Sequence, residues 1–299
     1  MPLHFNLDFD ACYGEPVGVL PGVARVTANN PGPFTFRGTN TYLVGNKTLA
    51  VIDPGPERNE HFDALRAAIA GRPVSHIFVS HTHRDHSPLA ARLAEATGAK
   101  VLAQGPHRAA RAFSGKSLLD SSADLEFSPD IRLTDGQVIE GDGWALRTVL
   151  TPGHAANHAA FALEGAGALF SGDHVMGWST TIVAPPDGSM ADYMASLDKL
   201  IERRDGLLLP AHGGPITEPR DYMLGLREHR LARERAILDR LRKGDSTIEK
   251  LVASIYRDTD PKLYPAASLS VLAHLEDLVE RGLAETDGAV SIGGIFRPV

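Results

Sequence analysis

Cysteine is almost absent: Cys12 stands alone among 299 residues. One thiol cannot close an internal disulfide or build a thiolate cage for zinc, so any metal must be held by imidazoles and carboxylates. Long apolar runs are missing too, and no stretch reaches the roughly 20 residues needed to cross a bilayer. The opening residues, MPLHFNLDFDACYGEP, carry neither a basic start nor a continuous apolar core, so they do not read as a targeting segment. A soluble, cytoplasmic chain without membrane contact is therefore expected. Positive charge is in deficit: 30 Lys+Arg face 37 Asp+Glu, a net charge of −7. That balance argues against nonspecific attraction to nucleic acid without excluding a local basic site.

The rest of the composition is that of an ordinary globular protein, with 43% hydrophobic and 22% charged residues. At this length a single core stops growing, which suggests one large domain and one small one. Residues 1–217 alternate short apolar strands with helices, and the predicted class is α/β. Strand candidates are 41–45, 48–53, 74–80, 100–103, 144–150, 158–164, 167–173 and 206–210. Phe62, Leu65 and Ile69 share one face of a helix over 60–71, and residues 105–130 read as a polar surface loop with a short helix.

From residue 218 the pattern changes. Leu224, Leu231 and Leu238 recur every seven residues in a basic segment, 218–243, that reads as a linker helix. It could be a solvated connector or a nucleic-acid-binding face. Residues 244–299 read as a winged-helix-like module. A capping box at Ser246–Glu249 starts one helix, Val271, Leu272, Leu275, Leu278 and Val279 mark a second, and a hairpin over 283–292 turns at Asp287-Gly288.

The chemistry concentrates in His81-Thr-His83-Arg-Asp85-His86, four candidate ligands within six residues at the mouth of a strand. His154, Asp173 and His212 follow, each just after another strand and beside Gly or Pro. Seven N/O ligands exceed what one tetrahedral zinc takes, but they suit two metals roughly 3.5–4 Å apart. His81, His83 and His154 are expected to hold the first, Asp85, His86 and His212 the second, with Asp173 between them. The expected cofactor is two Zn2+, with Mn or Fe as alternatives, and the implied chemistry is hydrolysis by a metal-bridging hydroxide that Asp85 orients or deprotonates. His158 reads as structural. His174 reads as a packed, hydrogen-bonded residue or a proton carrier, and Arg84 as a surface residue or a substrate clamp. His4, His61, His76, His107, His229 and His274 receive no role.

This HxHxDH constellation, with its later His, Asp and His, resembles the metallo-β-lactamase superfamily, whose fold is an αββα sandwich. The likeness spans roughly residues 17–217. NPGPFTFRGTNTYLVG, TPGH, SGDH, ADYMASLDKL and LLPAHGGPI look like the lactamase-beta-like-2 subgroup, which has a C-terminal winged helix and an endoribonuclease as its animal member. That member has Cys where this chain has His174. The resemblance implies a metal-dependent hydrolase acting on single-stranded RNA. Alternatives are a thioester or small-ester hydrolase related to hydroxyacylglutathione hydrolases, and a winged-helix regulatory protein with structural metals. Asn40, Trp178 and Thr180 are candidate substrate contacts, Asn40 being equally explicable as a turn-stabilising residue and Trp178 as a core cover. A homodimer is left open.

Overall fold

The computed structural model describes residues 3–111 and 122–299. The chain runs β1 (Val17–Leu20), β2 (Val23–Thr27), β3 (Asn40–Val44), β4 (Leu49–Ile52), α1 (Asn59–Ile69), β5 (Val74–Phe78), α2 (Leu89–Thr97), β6 (Lys100–Ala103) and β7 (Ile131–Arg132). These seven strands form one sheet in chain order, antiparallel through β4 and parallel from there on. Then follow β8 (Val138–Gly141), β9 (Trp144–Leu150), β10 (Ala159–Leu163), β11 (Ala168–Gly172), α3 (Met190–Arg203) and β12 (Leu207–Pro210). They give a second sheet in the order β12-β11-β10-β9-β8. The last part comprises α4 (Pro219–Arg242), α5 (Ile248–Ile255), α6 (Tyr264–Glu280), β13 (Ala284–Thr286) and β14 (Phe296–Pro298).

Alternation along the strands builds the layers, because successive side chains of a strand point to opposite faces. Tyr42, Val44, Ala50 and Ile52 point inward to meet Leu146, Phe161, Phe170 and Leu209 of the second sheet. Leu43, Leu49 and Val51 point outward to Phe62 and Leu65 of α1 and Leu93 of α2. On the far side Leu169 and Leu208 pack on Tyr193, Leu197 and Leu200 of α3. The result is helix, sheet, sheet, helix, the expected αββα sandwich. Among the described residues no helix is long and apolar enough to cross a membrane.

Helix α4 is more than a solvated connector. Met223 and Leu226 belong to the outer core of the second sheet, while Ile237 and Leu241 belong to the core of α5 and α6. The buried stripe is thus Met223, Leu226, Arg230, Ile237 and Leu241. Of the heptad leucines, Leu224 is exposed and Leu231 and Leu238 are half-buried. The reason is rotational: the flanking α3 and α5 meet a face about one residue away from the leucine row.

Two local expectations shift. The cap of α5 is Thr247, whose hydroxyl accepts from Lys250 N, one residue beyond Ser246. The hairpin pairs Ala284, Glu285 and Thr286 with Pro298, Arg297 and Phe296, not with residues 289–292 across Asp287-Gly288. That register buries the Phe296 ring to 1% exposure, whereas Ile292, in the intervening loop, is 49% exposed. A large aromatic ring outweighs a favourable two-residue turn. No helix occurs among the described residues of 105–130, and residues 112–121 lie outside them.

Candidate metal centre

The seven candidate ligands arise from loops leaving strands of both sheets at one end of the sandwich. His81 to His86 follow β5, His154 follows β9, Asp173 follows β11 and His212 follows β12. A tight turn, with His86 N donating to His83 O at 2.9 Å, folds the motif so that its ends face one another. His83 Nδ1 lies 2.9 Å from His81 Nε2 and 3.0 Å from His154 Nε2. Asp85 Oδ2 lies 3.2 Å from both His86 Nε2 and His212 Nε2. Asp173 spans the two groups, with Oδ2 3.6 Å from His154 Nε2 and from His86 Nε2, and Oδ1 3.3 Å from His212 Nε2.

These contacts suit a cation. His81, His83 and His154 form one set that could hold a metal, His81, His86 and Asp173 another, and Asp85, His86 and His212 a third. Three nitrogens about a tetrahedral zinc stand roughly 3.4 Å apart for Zn–N bonds of about 2.0–2.1 Å, close to the separations found here. The inward His86 Nε2, His212 Nε2 and Asp173 Oδ1 are buried without a hydrogen-bond partner, the state expected of atoms that await a shared cation.

The outer nitrogens of His81, His86, His154 and His212 are held as well, which fixes each ring and its tautomer. His81 Nδ1 meets Ser80 Oγ at 3.0 Å, His154 Nδ1 donates to Ile182 O at 2.7 Å, and His212 Nδ1 donates to Gly38 O at 3.1 Å. His86 Nδ1 reaches Asp53 Oδ2 at 3.0 Å. Asp53 also accepts from Ser80 N and Ser80 Oγ, both at 2.7 Å, and sits at φ 50°, a left-handed conformation unusual for a residue with a Cβ. His83 Nε2 lies 3.6 Å from Asp187, whose other oxygen is 3.4 Å from His107 Nε2. Asp53 and Asp187 were absent from the sequence reading, and His107 received no role there. Only Asp53 left a signal there, as the last residue of an apolar strand before Pro-Gly.

Electrostatics separates the rings. Burial alone would lower every imidazole, yet at His212 the carboxylates of Asp173 and Asp85 outweigh it and lift the ring to about 10. Against the same burial, Asp85 and Asp173 lift His86 well above its ordinary range. His81 falls well below it, and His154 falls to about 4, through burial and neighbouring imidazoles. Burial would raise Asp85 and Asp173, but His86 and His212 hold both well below the usual carboxylate range. The carboxylates that raise His86 and His212 would equally attract a cation.

His158 supports this arrangement without facing the centre: its Nε2 accepts from Asp173 N at 3.1 Å and its Nδ1 contacts Thr151 Oγ at 2.8 Å. His174 is fully buried on the Tyr193 ring, 4.6 Å between centroids, and neither of its nitrogens has a hydrogen-bond partner, so it is packed but not hydrogen-bonded. Arg84 is an exposed residue whose Nε donates to Ala123 O at 3.0 Å. Asn40 has the surroundings of a structural residue. It is 0% exposed, accepts from Thr27 Oγ, and donates to Pro210 O and Gly213 O, which makes it a clamp between β3 and the loop carrying His212. Trp178 and Thr180 are partly exposed. Trp178 stacks on Phe36 at 4.9 Å with an interplanar angle of 9°.

The family model described as metallo-beta-lactamase superfamily matches residues 34–212, and the beta-lactamase associated winged helix domain matches residues 247–292. An atrochrysone carboxyl ACP thioesterase from Aspergillus novofumigatus is 32% identical over 288 residues, covering 91% of this chain and 81% of the relative. A beta-lactamase-like protein 2 homolog from Caenorhabditis elegans is 30% identical over 277 residues, covering 91% and 89%. The crystal structure of a metallo-beta-lactamase family protein from Thermus thermophilus superposes with a TM-score of 0.76 at 26% identity, covering 94% of this chain and 100% of that one.

Proposed function

Because this chain belongs to the metallo-beta-lactamase superfamily and is a hydrolase with a winged-helix domain, we propose that it hydrolyses thioesters or related esters of apolar acyl groups at a two-metal centre. The observation that carries this reading is the aromatic wall beside the ligand cluster. Phe36 and Trp178 stack two residues from Gly38 and against Gly213, the neighbours of His212, and Phe34 on the same loop is 54% exposed. Such a surface offers an acyl chain or ring a place to shed water. Thioesterase relatives add support.

Two divalent ions held by His81, His83, His154 and by Asp85, His86, His212, with Asp173 between, would supply Lewis acidity that polarises the scissile carbonyl and activates water. The chain does the rest. Asp85, at 26% side-chain exposure the most open of the centre's carboxylates, receives the proton of the attacking water, and Thr39 Oγ donates to its Oδ2 at 3.3 Å and holds it in place. The water oxygen adds to the carbonyl carbon, the carbon–sulfur bond then breaks as the carbonyl re-forms, and the departing thiolate takes the proton held by Asp85, which restores the carboxylate.

Single-stranded RNA is less well served. Of the seven arginines of α4, Arg227, Arg235, Arg240 and Arg242 pair with Asp198, Glu228, Asp245 and Asp239, Arg230 is buried, Arg233 lies over the Tyr256 ring, and Arg220 is exposed without an ion pair among the described residues. A polyanion would find few free charges there. The test compares zinc-loaded wild type with Asp173→Ala and Trp178→Ala on acyl-thioesters of increasing chain length and on an RNA oligonucleotide, with metal content measured. Thioester turnover should vanish in Asp173→Ala, and Trp178→Ala should raise KM most for the longest chains. RNA cleavage lost in Asp173→Ala, without thioester turnover in wild type, would overturn the reading.

A further inference from the structure

We infer that Arg230, on the helix that carries the winged domain, is a positioning residue for the metal centre, because it holds the two-residue strut from which Asp173 and His154 both hang. The inference rests on reading the histidine–aspartate cluster as a metal site.

The strut is Thr181–Ile182. Thr181 Oγ donates to Asp173 O at 2.7 Å and lies 3.1 Å from His174 O, while Ile182 O accepts from His154 Nδ1 at 2.7 Å. Adjacent residues therefore fix the backbone of one candidate ligand and the ring of another. Arg230 closes the arrangement from behind, its guanidinium donating to Thr181 O. It also lies 5.1 Å over the Tyr193 ring. Helix α3 packs so closely there that a Cβ on Gly153, the residue before His154, would fall 2.3 Å from Tyr193 Cα.

Charge neutralisation does not explain this placement, and packing on the Tyr193 ring does not require a charged donor aimed at Thr181 O. Arg230 is 4% exposed, and among the described residues no carboxylate lies within ion-pair distance of it. Its Nε has no hydrogen-bond partner. A buried guanidinium with one acceptor is a costly choice at a position where Met223, Leu226 and Ile237 of the same stripe are apolar. What it provides that a methionine cannot is a charged donor to the strut, and hydrogen bonds to charged groups are stronger and shorter than neutral ones.

The experiment uses the full chain as wild type, Arg230→Met, Arg230→Lys, Thr181→Val, the double variant Arg230→Met/Thr181→Val, and Arg227→Met, which breaks only the exposed Arg227–Asp198 pair of the same helix. Metal affinity is read by competition with a chromogenic chelator, geometry by the visible spectrum of the Co(II)-loaded protein, and stability by thermal unfolding without metal. Arg230→Met should weaken metal affinity by about 10–100-fold, the usual effect of losing a ligand's supporting partner, and should change the Co(II) spectrum. Thr181→Val should do the same, the double variant should be no worse than the poorer single, Arg230→Lys should recover part of the loss, and Arg227→Met should match wild type. If Arg230→Met lowers the melting temperature but leaves affinity and spectrum unchanged, Arg230 only anchors the helix and the inference falls. Should Arg230→Met not fold, wild-type affinity and spectrum in Thr181→Val would overturn it equally. Absence of metal uptake by the wild type itself would instead overturn the metal reading, and this inference with it.

Discussion

At the scale of single residues, the inward-facing atoms of the centre are the ones a motif announces, and the atoms that aim them are not. His81, His83, Asp85 and His86 sit at a spacing that few other structures require. Asp53 lies 33 residues from the ring it orients, and Asp187 is a carboxylate in an unremarked turn. Asp53→Ala should therefore weaken metal affinity by about 10–100-fold while every ligand remains, a loss that chelator competition would register. His61 gives a prediction away from the centre. Burial lowers it from 6.5 to about 4, and it contacts Thr41 Oγ at 2.9 Å. Between those pH values the unfolded chain binds a proton there that the folded chain does not, so this contribution is complete above about pH 6.5 and is lost as pH falls toward 4. The slope attributable to it is at most about 1.4 kcal/mol per pH unit. Urea unfolding at stepped pH should show a shallower decline in His61→Gln than in wild type.

At the scale of elements, short apolar strands buried on both faces were readable and the pairings at the far end were not. The core strands around the site announce themselves because each buries both faces, Leu43 outward and Tyr42 inward for example. The terminal hairpin misleads because Asp287-Gly288 is a strong turn signal, while Phe296, which decides the register, lies eight residues further on. The heptad of α4 misleads for a related reason: periodicity shows that a helix has a face, but the neighbours choose which face is buried. Phe296→Ala should destabilise the protein by about 3–5 kcal/mol as the wing loses its only fully packed ring. Ile292→Ala, at an exposed position, should stay within about 0.5 kcal/mol. Denaturant midpoints of the two variants would reverse in order if the wing instead closed at Asp287-Gly288.

At the scale of the whole molecule, the sandwich and the winged domain do not meet as separate bodies. Ala273 of α6 belongs to the same cluster as Leu169 and Tyr193, and α4 contributes side chains to both cores. Truncation after residue 243 should therefore expose Ile237 and Leu241, uncover the surface on which Ala273 packs, and lower the melting temperature of the remaining sandwich. Differential scanning calorimetry would show this, and an unchanged transition would mean that the cores are independent. The same organisation has a temporal side. Asn40 ties β3 to Pro210 and Gly213, and Thr39 bridges His212, so the loop that completes the centre is joined to the start of the chain across some 170 residues. Contacts of such separation must overcome a large loop-closure entropy and tend to form late. A refolding chain will hold an ordered first sheet before it can hold an ion, and the ability to take up metal marks the end of its folding.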